Sequence, residues 1–353
     1  MSSFTRLTVL TSVLILIFAV CSIKETAAQE LRTYNLGECA LESGEMIEEC
    51  VIGYRTVGEL NAGGTNAVLL PTWGFGTSEE KLASENYVGP DGWVDPDHHF
   101  VIVVDAFGNG VSSSPSNSRT QPGEAFPQLT IRDMVRAQHR LLTEELELNG
   151  LHGVVGISLG GMQAFEWATT YPDFVARAVP VVATPRLSAN DLLIIDLFKH
   201  LLLGAVVEGC GSECENLARE TTQTFFRVML RTPEHWDRTL SRDDVPGFLN
   251  QVRDQAQNLP DTYDALTQVR ASSMMDVSEP FDGSLDRAAN AVQAEMLIVV
   301  NDPDLLVTPE PSRRFAELAG ARLLETNSDC GHQAFLNACA GEEITAAIRD
   351  FLW

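Results

Sequence analysis

Val154-Val155-Gly156-Ile157-Ser158-Leu159-Gly160-Gly161-Met162-Gln163 carries an apolar run into a helix-like stretch through Gly-x-Ser-x-Gly. A serine hydroxyl is a poor nucleophile unless it is projected from a sheet and set beside a base. The sharp strand-to-helix turn that projects it leaves no room for side chains two residues to either side, hence Gly156 and Gly160. The Leu159 amide would then point, with the partial positive charge of a helix N-terminus, at a developing oxyanion. Taken alone, the string also suits a tight turn with an idle serine, so the rest of the chain decides.

Residues 67–72 read as a buried strand followed by the glycine-rich loop Trp73-Gly74-Phe75-Gly76-Thr77. A loop after an early strand is where this architecture places its second oxyanion N–H. Gly74 is the candidate, with Trp73 as the near alternative. Residues 99–105 form the next buried strand, and the Gly- and Ser-rich stretch 106–117 reads as a long surface connection. Asp95, Asp97, His98 and His99 form a solvated strand entry rather than a metal site. Residues 130–148 read as an amphipathic helix with Thr130 as N-cap and Asp133 three residues on. A helix from Gly161 stops at Pro172. Residues 176–183 form a strand in which Pro180 is awkward for a central position.

Beyond residue 290 the strand–helix rhythm resumes. Residues 294–300 read as a strand leading to Asn301-Asp302-Pro303-Asp304. A helix over 311–318 and a strand over 321–325 precede His332, and residues 342–353 read as a closing helix. An activated serine needs a base, and the base needs an orienting acid. Ser158 follows one strand, Asp304 the next-to-last and His332 the last. This is the chain order of the α/β-hydrolase fold, a mostly parallel doubly wound sheet with catalytic residues in loops at the strands' carboxyl ends. Asp302 is the rival acid, and Asp304 is preferred for its place before Leu305-Leu306-Val307-Thr308-Pro309. The predicted organisation is a signal segment over 1–28, a first core part over 29–184, a helical lid insertion over 185–290 and a last core part over 291–353. Within the insertion, the apolar run from Asp191 to Val207 offers a wall for an acyl pocket.

The chain has 353 residues and a formal net charge of −25. No basic run is present to neutralise phosphates, which argues against nucleic acid as a partner. Residues 1–28 combine Arg6, an apolar stretch over 7–20 and Thr26-Ala27-Ala28. This is the pattern of a cleaved secretory signal, too short to span a bilayer. The expectation is a secreted or periplasmic protein with no membrane span in the mature chain. Val20 is large for the residue before a lipid-modified cysteine, which disfavours anchoring at Cys21. Six cysteines remain, an even number that suggests disulfides in an exported chain; of fifteen formal pairings, sequence proximity suggests Cys39 with Cys50, Cys210 with Cys214 and Cys330 with Cys339, with free buried thiols as the alternative. A hairpin turn centred on Gly44–Glu45 would set Cys39 opposite Cys50. No Cys-x-x-Cys pair points to a metal, and no cofactor is expected.

Gly160-Gly161-Met162-Gln163-Ala164-Phe165-Glu166-Trp167-Ala168, with Tyr171-Pro172-Asp173, resembles the elbow helix of the homoserine O-acetyltransferases. Thr130-Ile131-Arg132-Asp133-Met134-Val135 and Gly331-His332-Gln333-Ala334-Phe335-Leu336 are similar to that family too. The resemblance implies an α/β-hydrolase fold, the triad roles for Ser158, Asp304 and His332, and a homodimer. It also implies transfer of an acetyl group from acetyl-coenzyme A to homoserine. Three departures point away from that reaction: Leu159 stands where the family usually has Met, Gln333 where it has Asp, and the lid lacks a Tyr-Leu-Arg counterpart. Acetyl-coenzyme A is moreover a cytoplasmic metabolite. The reading is therefore a divergent, exported, hydrolase-like branch, a serine enzyme acting on a small-molecule ester or acyl donor, with ester hydrolysis as the reaction. Homoserine O-acetyltransferase is the enzymatic alternative, and a non-catalytic binding protein on a hydrolase scaffold is the other.

Overall fold

The computed structural model describes residues 30–207, 209, 211–256 and 259–353. The expected signal segment, Cys21 and Cys210, and with Cys210 the expected Cys210–Cys214 pair, lie outside the described residues.

Eight strands form one sheet in the order β1-β2-β4-β3-β5-β6-β7-β8. β1 (Arg32–Ala40) and β2 (Met46–Val57) make an antiparallel hairpin, and β2 runs antiparallel to β4 (Phe100–Val104). The other five are β3 (Ala67–Pro71), β5 (Gly153–Ile157), β6 (Arg177–Val181), β7 (Glu295–Asn301) and β8 (Arg322–Thr326). These pair in parallel with one another and, through β3, with β4. Strands in a parallel sheet are apolar on both faces because crossover helices cover both. The period of two sorts the residues accordingly. Leu69, Ile102 and Val154 face one cluster with α2 (Ile131–Arg140), α3 (Leu159–Thr170), α9 (Leu285–Ala291) and α10 (Glu310–Ala319). Val68, Val101 and Val155 face the other with α11 (Gly341–Leu352). The expected α/β-hydrolase architecture is present. Pro180 nevertheless lies opposite Gly156 in β6, an interior strand of the sheet.

After β6 the chain leaves the sheet for α4 (Ala189–Leu203), α5 (Ser212–Met229), α6 (Pro233–Thr239), α7 (Val245–Gln255) and α8 (Thr262–Ser273), and returns through α9 to β7. Phe198, Leu202, Leu266 and Val269 give these helices a small core of their own, joined by Phe75 from the loop after β3. Among the described residues, no helix is long and apolar enough to cross a membrane.

Three local readings need correction. The stretch 106–117 is largely buried rather than a surface connection: Ser112 and Ser114 are fully buried and Asn109 nearly so. Its polar groups satisfy one another and the neighbouring strand, with Ser112 Oγ donating to Asp105 O (2.6 Å) and accepting from Gly53 N (2.9 Å). His99 is buried, not solvated, with Nδ1 3.2 Å from the Asp95 carbonyl. Cys50 lies opposite Gly37, not Cys39, because the turn sits between the paired residues Ala40 and Met46 and the strand register shifts around Gly37. The Cys39–Cys50 disulfide forms all the same, as does Cys330–Cys339.

Candidate active site

Ser158 joins β5 to α3 with φ +53°, a left-handed conformation that costs a non-glycine residue free energy and is held only by surrounding structure. Ser158 N donates to Val181 O of β6 at 3.0 Å. An added Cβ on Gly156 would meet Gly160 O at 2.0 Å, and one on Gly160 would meet Pro71 O at 2.7 Å. The elbow therefore closes only with glycine at both positions. α3 starts at Leu159, two residues before the expected start, and Leu159 lines the cavity beside Ser158.

His332 Nε2 lies 2.9 Å from Ser158 Oγ, and His332 Nδ1 lies 2.7 Å from Asp304 Oδ2. The other Asp304 oxygen accepts the amides of Leu306 (2.9 Å) and Val307 (3.1 Å). An ionised carboxylate only accepts, so the proton sits on Nδ1 and leaves Nε2 as the acceptor facing the serine. Asp302 points elsewhere, paired with Arg313 on the surface. Asn301, 1% exposed, was not singled out by sequence reasoning. Its Nδ2 donates to the carbonyls of Ser328 (2.9 Å) and Gly331 (2.8 Å) and ties the His332 segment to the end of β7.

In the loop after β3, the Phe75 amide donates to Gln268 Oε1 (2.7 Å) and the Gly76 amide to Trp73 O (3.1 Å). Among the described residues, the Gly74 and Leu159 amides have no acceptor. Gly74 packs against Leu159, an ideal Cβ there lying 3.8 Å from the Leu159 Cβ. Both candidate amides thus border the same space as Ser158 and His332.

That space is a cavity of about 510 Å³. Ile194, Ile195 and Phe198 of α4 line it as anticipated, whereas Leu192, Leu193 and Leu197 of the same run face solvent. Tyr87 also lines it, and burial pushes its phenol up to about 12. Behind the loop, in α1 (Ser78–Leu82), Lys81 is fully buried. Its Nζ donates to Pro71 O at 2.7 Å and stands 5.4 Å from the centroid of the Trp73 ring. Burial pushes the Lys81 amine down to about 7.

The conspicuous string of the elbow helix is largely structural. Gln163 Nε2 donates to Leu159 O (3.1 Å), its Oε1 accepts from Gln138 (2.5 Å), and Trp167 Nε1 donates to Gln138 Oε1 (2.8 Å). Arg132 binds Glu166 at 2.6 Å, which locks α2 to α3. His235, Asp329 and Cys330 lie together, but Cys330 is committed to its disulfide and Asp329 to Arg238.

A family model described as alpha/beta hydrolase fold matches residues 86–338. The ethyl acetate hydrolase of Pseudomonas veronii is 43% identical over 173 residues, which is 49% of this chain; the match spans only about half, 48%, of that enzyme's length. The homoserine O-acetyltransferase of Zymomonas mobilis is 30% identical over 85% of this chain and 91% of its own. Among solved structures, an acetylester hydrolase from Corynebacterium glutamicum superposes with a TM-score of 0.83 at 26% identity, covering 92% of this chain and 96% of that one. The chain belongs to the alpha/beta hydrolase fold family, among the relatives of the homoserine O-acetyltransferases.

Proposed function

We propose that the protein hydrolyses a carboxylic ester outside the cytoplasm through a Ser158–His332–Asp304 triad and an acyl-serine intermediate. The observation that carries the reading is the continuous line from Ser158 Oγ through both imidazole nitrogens to Asp304. His332 Nε2 takes the Ser158 proton as Oγ attacks the ester carbonyl. Negative charge moves to the carbonyl oxygen, where the amides of Leu159 and Gly74 receive it. The C–O bond to the alcohol then breaks, and the imidazolium returns its proton to the leaving oxygen. Water, deprotonated by the same nitrogen, attacks the acyl-serine; the acid departs and the serine hydroxyl is restored. Asp304 holds the imidazole through Nδ1 and is itself held by its two backbone amides. The helices between β6 and β7 serve as a lid over the acyl pocket.

Likeness to an ethyl acetate hydrolase and to an acetylester hydrolase supports hydrolysis of a small ester. Export is supported by the signal-like residues 1–28 and by the two disulfides. Acetyl transfer to homoserine is the second reading, favoured by the near full-length match to the Zymomonas mobilis enzyme. Labelling with a fluorophosphonate probe and mapping the modified peptide tests the nucleophile. The adduct is expected on Ser158 and absent from Ser158→Ala; labelling elsewhere, or undiminished in that variant, contradicts it.

A further inference from the structure

The loop Trp73–Gly76 carries the Gly74 amide, and its ends are well anchored. Thr72 N donates to Val104 O at 3.0 Å, and Asn109 Nδ2 donates to Gly76 O at 3.1 Å. Its middle is the weak point. Phe75 holds φ +67°, a left-handed conformation at a bulky residue, and such a conformation persists only where neighbours over-determine it. Three neighbours do so, and all come from the helices inserted between β6 and β7. The Phe75 ring packs 6.0 Å from that of Phe198 and 5.9 Å from that of Phe226. The Phe75 amide donates to Gln268 Oε1 at 2.7 Å.

Gln268 is a committed residue. It is 1% exposed, and its Nε2 donates to Phe107 O at 3.1 Å, so both ends of the amide are engaged. Gly108, at φ +75°, leaves the space it needs: a Cβ there would stand 3.1 Å from Gln268 Cγ. α8 itself is fastened to the same region, since Ser116 donates to Asp264 from its amide (2.9 Å) and its hydroxyl (2.5 Å). The Phe75 N–H belongs to the peptide unit that follows Gly74. The Trp73 carbonyl, in the same peptide unit as the Gly74 N–H, accepts from Gly76 N at 3.1 Å; with the peptide units on both sides of Gly74 held, the direction in which the Gly74 N–H points is set.

We propose that Gln268 is the positioning residue of the oxyanion site, setting the Gly74 amide through the Phe75 N–H and making that site depend on the inserted helices. This rests on the reading of Ser158 as nucleophile. Gln268 touches no reacting atom. Its effect falls on the transition state, where the oxyanion forms, and not on ground-state binding.

Gln268→Met removes the acceptor at nearly constant length. Hydrolysis of p-nitrophenyl acetate should fall on the order of 30-fold in kcat with KM within about threefold. Inhibition by a trifluoromethyl ketone, whose serine adduct carries an oxyanion, should weaken by the same factor. A fold merely loosened would raise KM and leave no such proportionality. Gln268→Glu gives an independent arm. Its protonated carboxyl can accept from Phe75 N and donate to Phe107 O, whereas its carboxylate opposes the Phe107 carbonyl. Activity relative to the unaltered enzyme at the same pH should therefore recover as pH falls. Near-normal kcat in Gln268→Met, an unchanged ketone affinity, or a pH-independent ratio in Gln268→Glu overturns the proposal. With Ser158→Ala inactive, such a result falls on Gln268 alone. An active Ser158→Ala overturns the nucleophile reading and this proposal with it.

Discussion

A methyl group on Gly156 would lie 2.0 Å from the carbonyl oxygen of Gly160, across the turn that presents Ser158. Backbone cannot yield that much without moving the serine. Gly156→Ala is therefore expected to destabilise the protein by about 2–3 kcal/mol and to abolish labelling of Ser158. Denaturant midpoints and probe labelling check this; an unchanged midpoint would contradict the close packing described.

Two aspartates two residues apart should separate cleanly. Asp304→Asn deprives His332 of its orienting acceptor and should lower kcat by roughly 10³–10⁴. Asp302→Asn loses only a surface pair with Arg313, of a kind worth about 0–1 kcal/mol, and should leave turnover nearly intact. Steady-state kinetics on one ester substrate suffices. Equal losses in the two variants would refute the assignment of the acid.

The two disulfides should differ in what they protect. Cys330–Cys339 closes on the segment that carries His332, so Cys330→Ser/Cys339→Ser should lose activity. Cys39–Cys50 braces the edge hairpin β1–β2, so Cys39→Ser/Cys50→Ser should lose about 2–3 kcal/mol of stability and keep its kcat. Undiminished turnover in the first variant would remove the proposed link between that bridge and the histidine.

Lys81 predicts a pH-dependent stability. Its buried amine titrates at about 7, while an unfolded lysine titrates near 10.4. Between those values the unfolded chain holds a proton that the folded one has lost, so this group's contribution makes stability rise with pH. Below about 7 both states hold the proton and the cost of the buried charge is fully present. Lys81→Met should remove that slope, and the variant should gain stability relative to the unaltered protein at pH 6 compared with pH 9. Denaturation curves at the two pH values test it; parallel behaviour would contradict it.

The chain order of Ser158, Asp304 and His332 could be read from sequence because Ser158 and Asp304 follow short apolar runs and His332 follows the last strand of the strand–helix rhythm. Asn301 and Gln268 could not. Each is a single polar residue whose value lies in carbonyls and amides that folding brings to it, from 30 residues away for Asn301 and 193 for Gln268. The stretch 106–117 misled for a related reason. Gly, Ser and Asn usually signal solvent, yet here their side chains replace water for one another and for β2. The hairpin register was likewise hidden, because bulges change which residues face each other without changing the pattern of residues.

The most direct test follows an acetyl group supplied to the purified protein, with Ser158→Ala as control. p-Nitrophenyl acetate and acetyl-coenzyme A are offered separately, each with and without homoserine, and free acetate and O-acetylhomoserine are quantified. The account predicts acetate from the aryl ester, dependent on Ser158, and no acetylhomoserine from either donor. Serine-dependent acetylhomoserine from acetyl-coenzyme A would contradict it and make the protein a transferase.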